Sequence, residues 1–365
     1  MGSPKIPSGP NDLTPEWLTK ALRHGGALGA ASVTGIEQRI IGEGAGFIGQ
    51  LAHLSLQYDK PEPGAPRTLI AKLPAAAQEN REVAMFFRFY EREVNFYDEI
   101  AEQVELRTPR RYFGAFEPES GDYVLLLEDL SPGVVGDQLA GCRIEQARLA
   151  IGELAKFHAT WWEHPKLPEL TWMPGIDDDW YIESVEQGYQ DAWEPFVEQF
   201  GGQLSPKMRT VAEQFVHHIR TTMQGLSRPP VTIVHGDYRL DNLFFGCPGA
   251  PIAVIDWQIA NRGHGVFDVA YFVAGTLPSA DRKAVERDLV RLYHETLVGH
   301  GVRGYDYDRC WEDYRQSILL LLVYAVIAIG SLDMANERGV ELFTMIMNRT
   351  MAAIEDLKAY DTIPT

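Results

Sequence analysis

The chain has 365 residues, enough for about two domains, and 45% of them are hydrophobic, so a sizeable core can be buried. Its formal net charge of -18 argues against nucleic acid as a partner, because no Lys/Arg cluster offsets the repulsion of a phosphate backbone. The three cysteines, Cys142, Cys247 and Cys310, are widely spaced, which fits free thiols in a reducing compartment and forms no metal-ligand pattern.

Residues 1–11 are polar and rich in Pro and Gly, with no apolar signal core. The longest apolar stretch, Ile318 to Ile329, is shorter than the about 20 residues that cross a bilayer and reads as a buried helix. The expectation is a cytoplasmic protein with no membrane partner.

Thr14-Pro15-Glu16 starts a helix: Thr14 can cap it, Pro15 suits the first position, and Glu16 favours the positive end. That helix should end near Arg23 or His24, before Gly25-Gly26. Ile36 to Ile41 reads as a strand, and the alternation of Ala52, Leu54, Leu56 and Tyr58 with polar residues reads as another. Between them lie Gly44, Gly46 and Gly49. By letters alone they fit a dinucleotide fingerprint, but that motif must open a helix, and here a strand follows. A glycine hairpin between strands can cover phosphates with its backbone N–H groups, although such a turn needs no ligand to exist.

Thr68 to Leu73 is a third strand and carries Lys72. A lysine in an apolar strand is costly unless its charge is paired, and a phosphate or a carboxylate would answer that cost. The stretch from Glu82 to Val104 shows one apolar helical face, with Val83, Phe86, Phe87, Tyr90, Val94 and Tyr97. Glu93 borders that stripe and is the chosen partner for Lys72, with Glu82 its main rival.

Arg111 to Phe116 and Tyr123 to Leu127 read as two more strands. Glu128-Asp129-Leu130 then leads into Ser131-Pro132-Gly133, a breaker cluster that suits a boundary between lobes. Helices are expected from about Ile144 to Trp162 and from Ser205 to Gly225. His158 falls on the apolar side of the first and reads as a satisfied core residue. Residues 161–193 hold Trp161, Trp162, Trp172, Trp180 and Trp193 around Asp177-Asp178-Asp179, either a packed core with a solvated acidic loop or a cage for a cation.

The densest stretch follows. Val231 to Val234 is a β-branched run ending in His235-Gly236-Asp237, with Asn242 five residues after Asp237. A second apolar run, Ile252 to Ile255, delivers Asp256 and Trp257. Phosphoryl transfer needs a carboxylate to orient and deprotonate the attacking hydroxyl, and oxygen ligands to hold magnesium on the nucleotide. Asp237 is the right type for the first task, and Asn242 and Asp256 for the second. Arg239, two after Asp237, stands where a cation could contact the transferring phosphoryl, or could simply bridge to Asp241.

His-Gly-Asp with Asn five later, then Ile-Asp-Trp, resembles the aminoglycoside phosphotransferase and choline kinase-like group of small-molecule kinases. Leu125 to Leu130, Leu154 to Ala159 and Phe267 to Tyr271 resemble its ecdysteroid kinase-like branch. The resemblance implies a protein kinase-like bilobal α+β fold. Residues 1–128 would be a small nucleotide-binding lobe with an antiparallel sheet, and 129–365 a larger, mainly helical catalytic and acceptor-binding lobe. It implies ATP and Mg2+ as cofactors, with Lys72 on the phosphates and a hinge near 128–132 whose Glu128 and Leu130 backbone meets adenine. It also implies that Asp268 braces the loop of Asp237. The expected reaction is transfer of the γ-phosphoryl group to the hydroxyl of a small molecule. The alternative is a catalytically inactive nucleotide-binding regulator. A protein acceptor is disfavoured, because Asp268 follows Asp256 by only twelve residues and leaves no room for a peptide-binding activation segment. Later helices, Arg282 to Leu297, Asp308 to Ile329 and Val340 to Tyr360, show mixed charge and apolar periodicity.

Overall fold

The computed structural model describes residues 4–42, 48–331 and 337–363. The chain folds as two compact units: residues 1–133 with 253–259, and residues 134–252 with 260–365.

The first unit opens on helix α1 (Pro15–His24), where the Thr14 hydroxyl accepts the amide of Trp17 at 3.2 Å. Five strands form one antiparallel sheet in the order β1-β2-β3-β5-β4. They are β1 (Val33–Ile41), β2 (Gly49–Tyr58), β3 (Thr68–Pro74), β4 (Arg111–Phe116) and β5 (Tyr123–Glu128). Successive strand residues face opposite sides. Ala52, Leu54, Leu69, Ala71 and Leu73 therefore share the face packed against Leu18 and Leu22 of α1. Lys72 lies on the other face of the middle strand, paired in register with Leu51 of β2 and Leu125 of β5.

The single helix expected from Glu82 to Val104 is broken into α2 (Gln78–Phe86) and α3 (Phe89–Asn95), followed by a wider turn over Phe96–Ile100. Arg88 takes the left-handed conformation at φ 60°. The carbonyl of Phe87, which a continuous helix would give to the amide of Glu91, instead accepts from the buried guanidinium of Arg92. The break turns Val83 and Phe86 out to solvent, while Tyr90, Glu93, Val94 and Tyr97 stay buried.

The second unit is mainly helical. The chain enters it through β6 (Val134–Val135) and α4 (Ile144–Thr160), then passes to α5 (Asp179–Phe200). The helix expected from Ser205 is two, α6 (Pro206–Phe215) and α7 (Ile219–Gly225), divided by a tight turn at Val216–His218 that no Gly or Pro marks in the sequence. Ser205 caps α6 by accepting the amide of Met208 at 3.1 Å. Short strands follow: β7 (Thr232–Val234), β8 (Leu243–Phe245) and β10 (Asn261–Gly263), while β9 (Ile252–Val254) leads into the stretch 253–259 that belongs to the first unit. β6 pairs with β8, and β10 pairs with β7.

The remaining helices are α8 (Val266–Thr276), α9 (Ser279–Gly299), α10 (Tyr307–Gly330) and α11 (Glu337–Asp356). Helix α8 packs on α10 and α11, α4 on α9, and α5 on α10. Helix α10 extends well beyond the apolar stretch that marks it. By length and composition it could cross a membrane, but 67% of its apolar window is buried inside the protein. Of the clustered tryptophans, Trp161 and Trp172 are buried, whereas Asp177 and Asp179 are exposed.

Candidate active site

In the first unit, strand alternation takes Lys72 off the core face. Its Nζ lies 2.6 Å from Glu93 Oε1 and 2.9 Å from Asp256 Oδ1. Burial works against the lysine charge, but Asp256 and then Glu93 outweigh it and hold the pKa above the ordinary lysine value. Burial is also the main influence on Glu93 and pushes its pKa up, with Lys72 opposing. The second oxygen of Glu93 accepts the hydroxyl of Tyr123 at 2.7 Å. Tyr123 in turn stacks on Tyr90 with ring centroids 4.6 Å apart. Glu82, the rival partner, is exposed on α2 and accepts from Gln78 at 3.1 Å.

Asp256 follows β9 with φ at 67°, a left-handed conformation that an Asp tolerates better than most residues. The next residue anchors it: Trp257 is fully buried and stacks on Phe96 at 3.9 Å between centroids. Gly49 begins β2, where a Cβ would come within 2.9 Å of the Leu73 carbonyl oxygen. Gly44 and Gly46 lie outside the described residues. The Glu128 carboxylate accepts from Arg107 Nη2 at 2.7 Å and from the Arg110 amide at 2.9 Å. Its side chain is thus engaged, and Leu130 beside it is buried.

In the second unit, β7 leads straight into His235-Gly236-Asp237. Gly236 has φ 86°, which a side chain would strain. Asp237 is held by three donors. The Tyr271 hydroxyl donates to Oδ1 at 2.8 Å, and Asn242 Nδ2 donates to Oδ2 at 2.9 Å. Arg239 Nε lies 3.0 Å from Oδ1, while its Nη1 meets Asp241 Oδ2 at 2.6 Å. Burial, and then the Asp237 carboxylate, push the Tyr271 phenol well above its ordinary pKa, so it stays a donor. The amide nitrogen of Asn242 is committed to Asp237, which leaves its carbonyl oxygen as the atom that could bind a metal.

The loop backbone is fixed from below. Asp268, fully buried on α8, accepts the amides of His235 at 2.7 Å and Gly236 at 2.9 Å. His158 Nε2 is 3.3 Å from the same carboxylate, and its Nδ1 is 3.0 Å from the Tyr293 hydroxyl, so this histidine sits among core partners. Gln138 Oε1 accepts the amide of Leu240 at 2.9 Å, and the main-chain amide of Gln138 donates to Asp241 Oδ1 at 2.9 Å.

Tyr271, Tyr123 and Gln138 do not stand out in the sequence. One signal was available for the first. Tyr271 lies three residues after Asp268, so on a helix the two share a face. Tyr123 and Gln138 reach their partners across 30 and 102 residues, where no local spacing points to them.

A model of the ecdysteroid kinase-like family matches residues 43–302. The chain belongs to the ecdysteroid kinase-like family. One similar curated protein is the mouse protein named acyl-CoA dehydrogenase family member 10, 49% identical over 51 residues. That match covers 13% of this chain and 5% of the mouse protein, so the chain spans only a small part of that relative's length. Among solved structures, a choline kinase from Cryptosporidium parvum Iowa II superposes with a TM-score of 0.54 at 10% identity, covering 90% of this chain and 92% of the other. An ethanolamine kinase from Plasmodium vivax gives a TM-score of 0.50 at 12% identity, with 87% and 82% covered. The GDP complex of aminoglycoside 2'-phosphotransferase-IIIa gives 0.50 at 14% identity, with 87% and 93% covered. At these identities the likeness is one of fold. This member of the ecdysteroid kinase-like family has a protein kinase-like α+β fold, with an antiparallel sheet towards the N-terminus and a mainly helical remainder.

Proposed function

We propose that the chain is a small-molecule kinase that moves the γ-phosphoryl group of ATP, with magnesium, to a hydroxyl of its acceptor. The observation that carries this reading is the setting of Asp237. Its carboxylate is aimed by Tyr271, Asn242 and Arg239 on a loop whose backbone is tied to the buried Asp268. A base held this firmly loses little order when a hydroxyl docks on it.

In the proposed step the acceptor oxygen bonds to the γ-phosphorus. The bond from that phosphorus to the bridging oxygen breaks, ADP leaves with the electron pair, and the hydroxyl proton passes to Asp237. Lys72, kept charged by Glu93 and Asp256, holds the phosphates together with the backbone N–H groups of Gly44, Gly46 and Gly49. The Asn242 carbonyl and the Asp256 carboxylate are hard-oxygen donors of the kind magnesium takes, so the residues present fit that ion. Bound there, magnesium would offset the phosphate charge. Arg239 keeps its hold on Asp237 and Asp241 and, from there, offsets charge on the transferring phosphoryl. Because the Glu128 side chain is engaged by Arg107, the main chain of Glu128 and Leu130 is what meets the base of the nucleotide.

Asp237→Asn tests this reading. Removal of a general base lowers turnover by roughly 10²–10⁴-fold. The variant should retain ATP affinity, measured by calorimetry, while acceptor-dependent ADP release collapses. Wild-type turnover in Asp237→Asn would refute the assignment.

A further inference from the structure

The ring of Tyr271, whose hydroxyl caps Asp237, also forms part of the wall of a cleft among α8, α10 and α11. Leu321, Tyr324, Phe343, Ile346 and Met347 line it as well, and its volume is about 90 Å³. Among the described residues, no Asp, Glu, Lys or Arg lines it. Tyr324, Phe343 and Ile346 are only half-buried, so the cleft opens to solvent on one side. Tyr324 is set edge-on against Phe267 at 5.9 Å, which leaves its ring braced rather than loose.

We propose that this cleft holds the hydrocarbon part of the acceptor, so that the preferred substrate is an alcohol with an uncharged, aliphatic group near its reacting hydroxyl. The inference rests on Asp237 being the base, because Tyr271 is the residue that joins cleft and carboxylate. Two arguments set the chemistry. A primary ammonium group entering the cleft would shed strongly bound water, and among the described lining residues only the faces of Tyr271, Tyr324 and Phe343, with no carboxylate, stand against that loss, so it gains less there than an alkyl group. An alkyl group loses nothing and gains the full benefit of leaving water. Size sets the limit. An apolar cavity of about 150 Å³ encloses benzene, so one of about 90 Å³ takes roughly four carbons, and the rest of the acceptor stays outside it.

The test uses the full chain with ATP and magnesium. Acceptors share one hydroxyl and one polar end and differ in an alkyl chain lengthened stepwise beyond about four carbons, with an amino sugar and a quaternary amino alcohol alongside. Acceptor-dependent ADP release is expected to rise about fourfold in kcat/KM for each added methylene and to level off near four carbons. Ala328 of α10 also lines the cleft, and Ala328→Leu, which fills it without charge, should bring the plateau in by a carbon or more. Ile346→Asp, whose ATP affinity reports on its folding, should lower kcat/KM for alkyl acceptors at least tenfold. The inert Asp237→Asn variant should still be stabilised by the best alkyl acceptor in a thermal shift.

A flat response to chain length, or the amino compounds as better substrates, overturns the cleft assignment. If transfer to the amino compounds still depends on Asp237, the kinase reading stands and only the cleft fails. If no acceptor gives transfer that Asp237→Asn abolishes, both fail.

Discussion

Asp268 accepts the main-chain amide of Gly236 at 2.9 Å, and this bond, with its twin to His235 at 2.7 Å, sets where Asp237 emerges from β7. Both amides end in a carboxylate with no exposure to water. In Asp268→Asn one acceptor becomes a donor facing an N–H. Hydrogen bonds to charged groups are worth about 1.5–3 kcal/mol each, so a stability loss of at least that size is expected in urea unfolding. Turnover should fall with it while ATP affinity holds. An unchanged denaturation midpoint would show that the loop is carried by other contacts.

Tyr271→Phe keeps the ring that lines the cleft and deletes only the hydroxyl on Asp237. The lost bond to a carboxylate is worth about 1.5–3 kcal/mol, or roughly a 10- to 150-fold change if expressed in turnover. The expectation is a drop in kcat with the KM for ATP unchanged, because the tyrosine acts by positioning Asp237. Steady-state kinetics in both substrates measure this, and a change confined to the KM for ATP would contradict it.

Glu93→Gln removes one of the two anions that hold Lys72 charged, and leaves Asp256 at 2.9 Å. It also weakens the acceptor that Tyr123 uses. A tenfold to hundredfold loss in kcat/KM for ATP follows, corresponding to about 1.5–3 kcal/mol. Lys72→Met should cost more, since it deletes the cation itself. A Glu93→Gln protein with undiminished nucleotide affinity and rate would break the link between this ion pair and the phosphates.

Burial pushes the Cys142 thiol up to about 11 and, more strongly, Cys310 up to about 12. A raised thiol pKa means less thiolate at any pH below it. Alkylation of the native protein should therefore be slow at neutral pH. Its rate should climb about tenfold per pH unit beyond the point near 8.5 where a free thiol levels off. Iodoacetamide kinetics followed by mass spectrometry give the profile, with Cys142 ahead of the fully buried Cys310. A plateau near the free-thiol value would mean that Cys142 stands in water.

Much of the local structure was legible in the residues. Thr14 and Pro15 announce α1, and the period-two pattern from Ala52 to Tyr58 announces β2. These are short-range rules, in which each residue acts on neighbours a few positions away. The helix break at Arg88 was not legible, because it depends on the Arg92 guanidinium reaching back to the carbonyl of Phe87. Nothing in hydrophobic periodicity encodes such a bond.

The same division runs through the candidate site. Order and residue type singled out Asp237, Asn242 and Asp256 within a span of twenty residues, because chemistry of this kind needs oxygen donors at fixed places along the chain. Only the tertiary structure decided what surrounds them: Tyr271 on Asp237, Asp256 beside Lys72, and Tyr123 behind Glu93. The first of these spans 34 residues and the second 184, and contacts at that distance follow from how helices and strands pack, which a linear pattern does not carry.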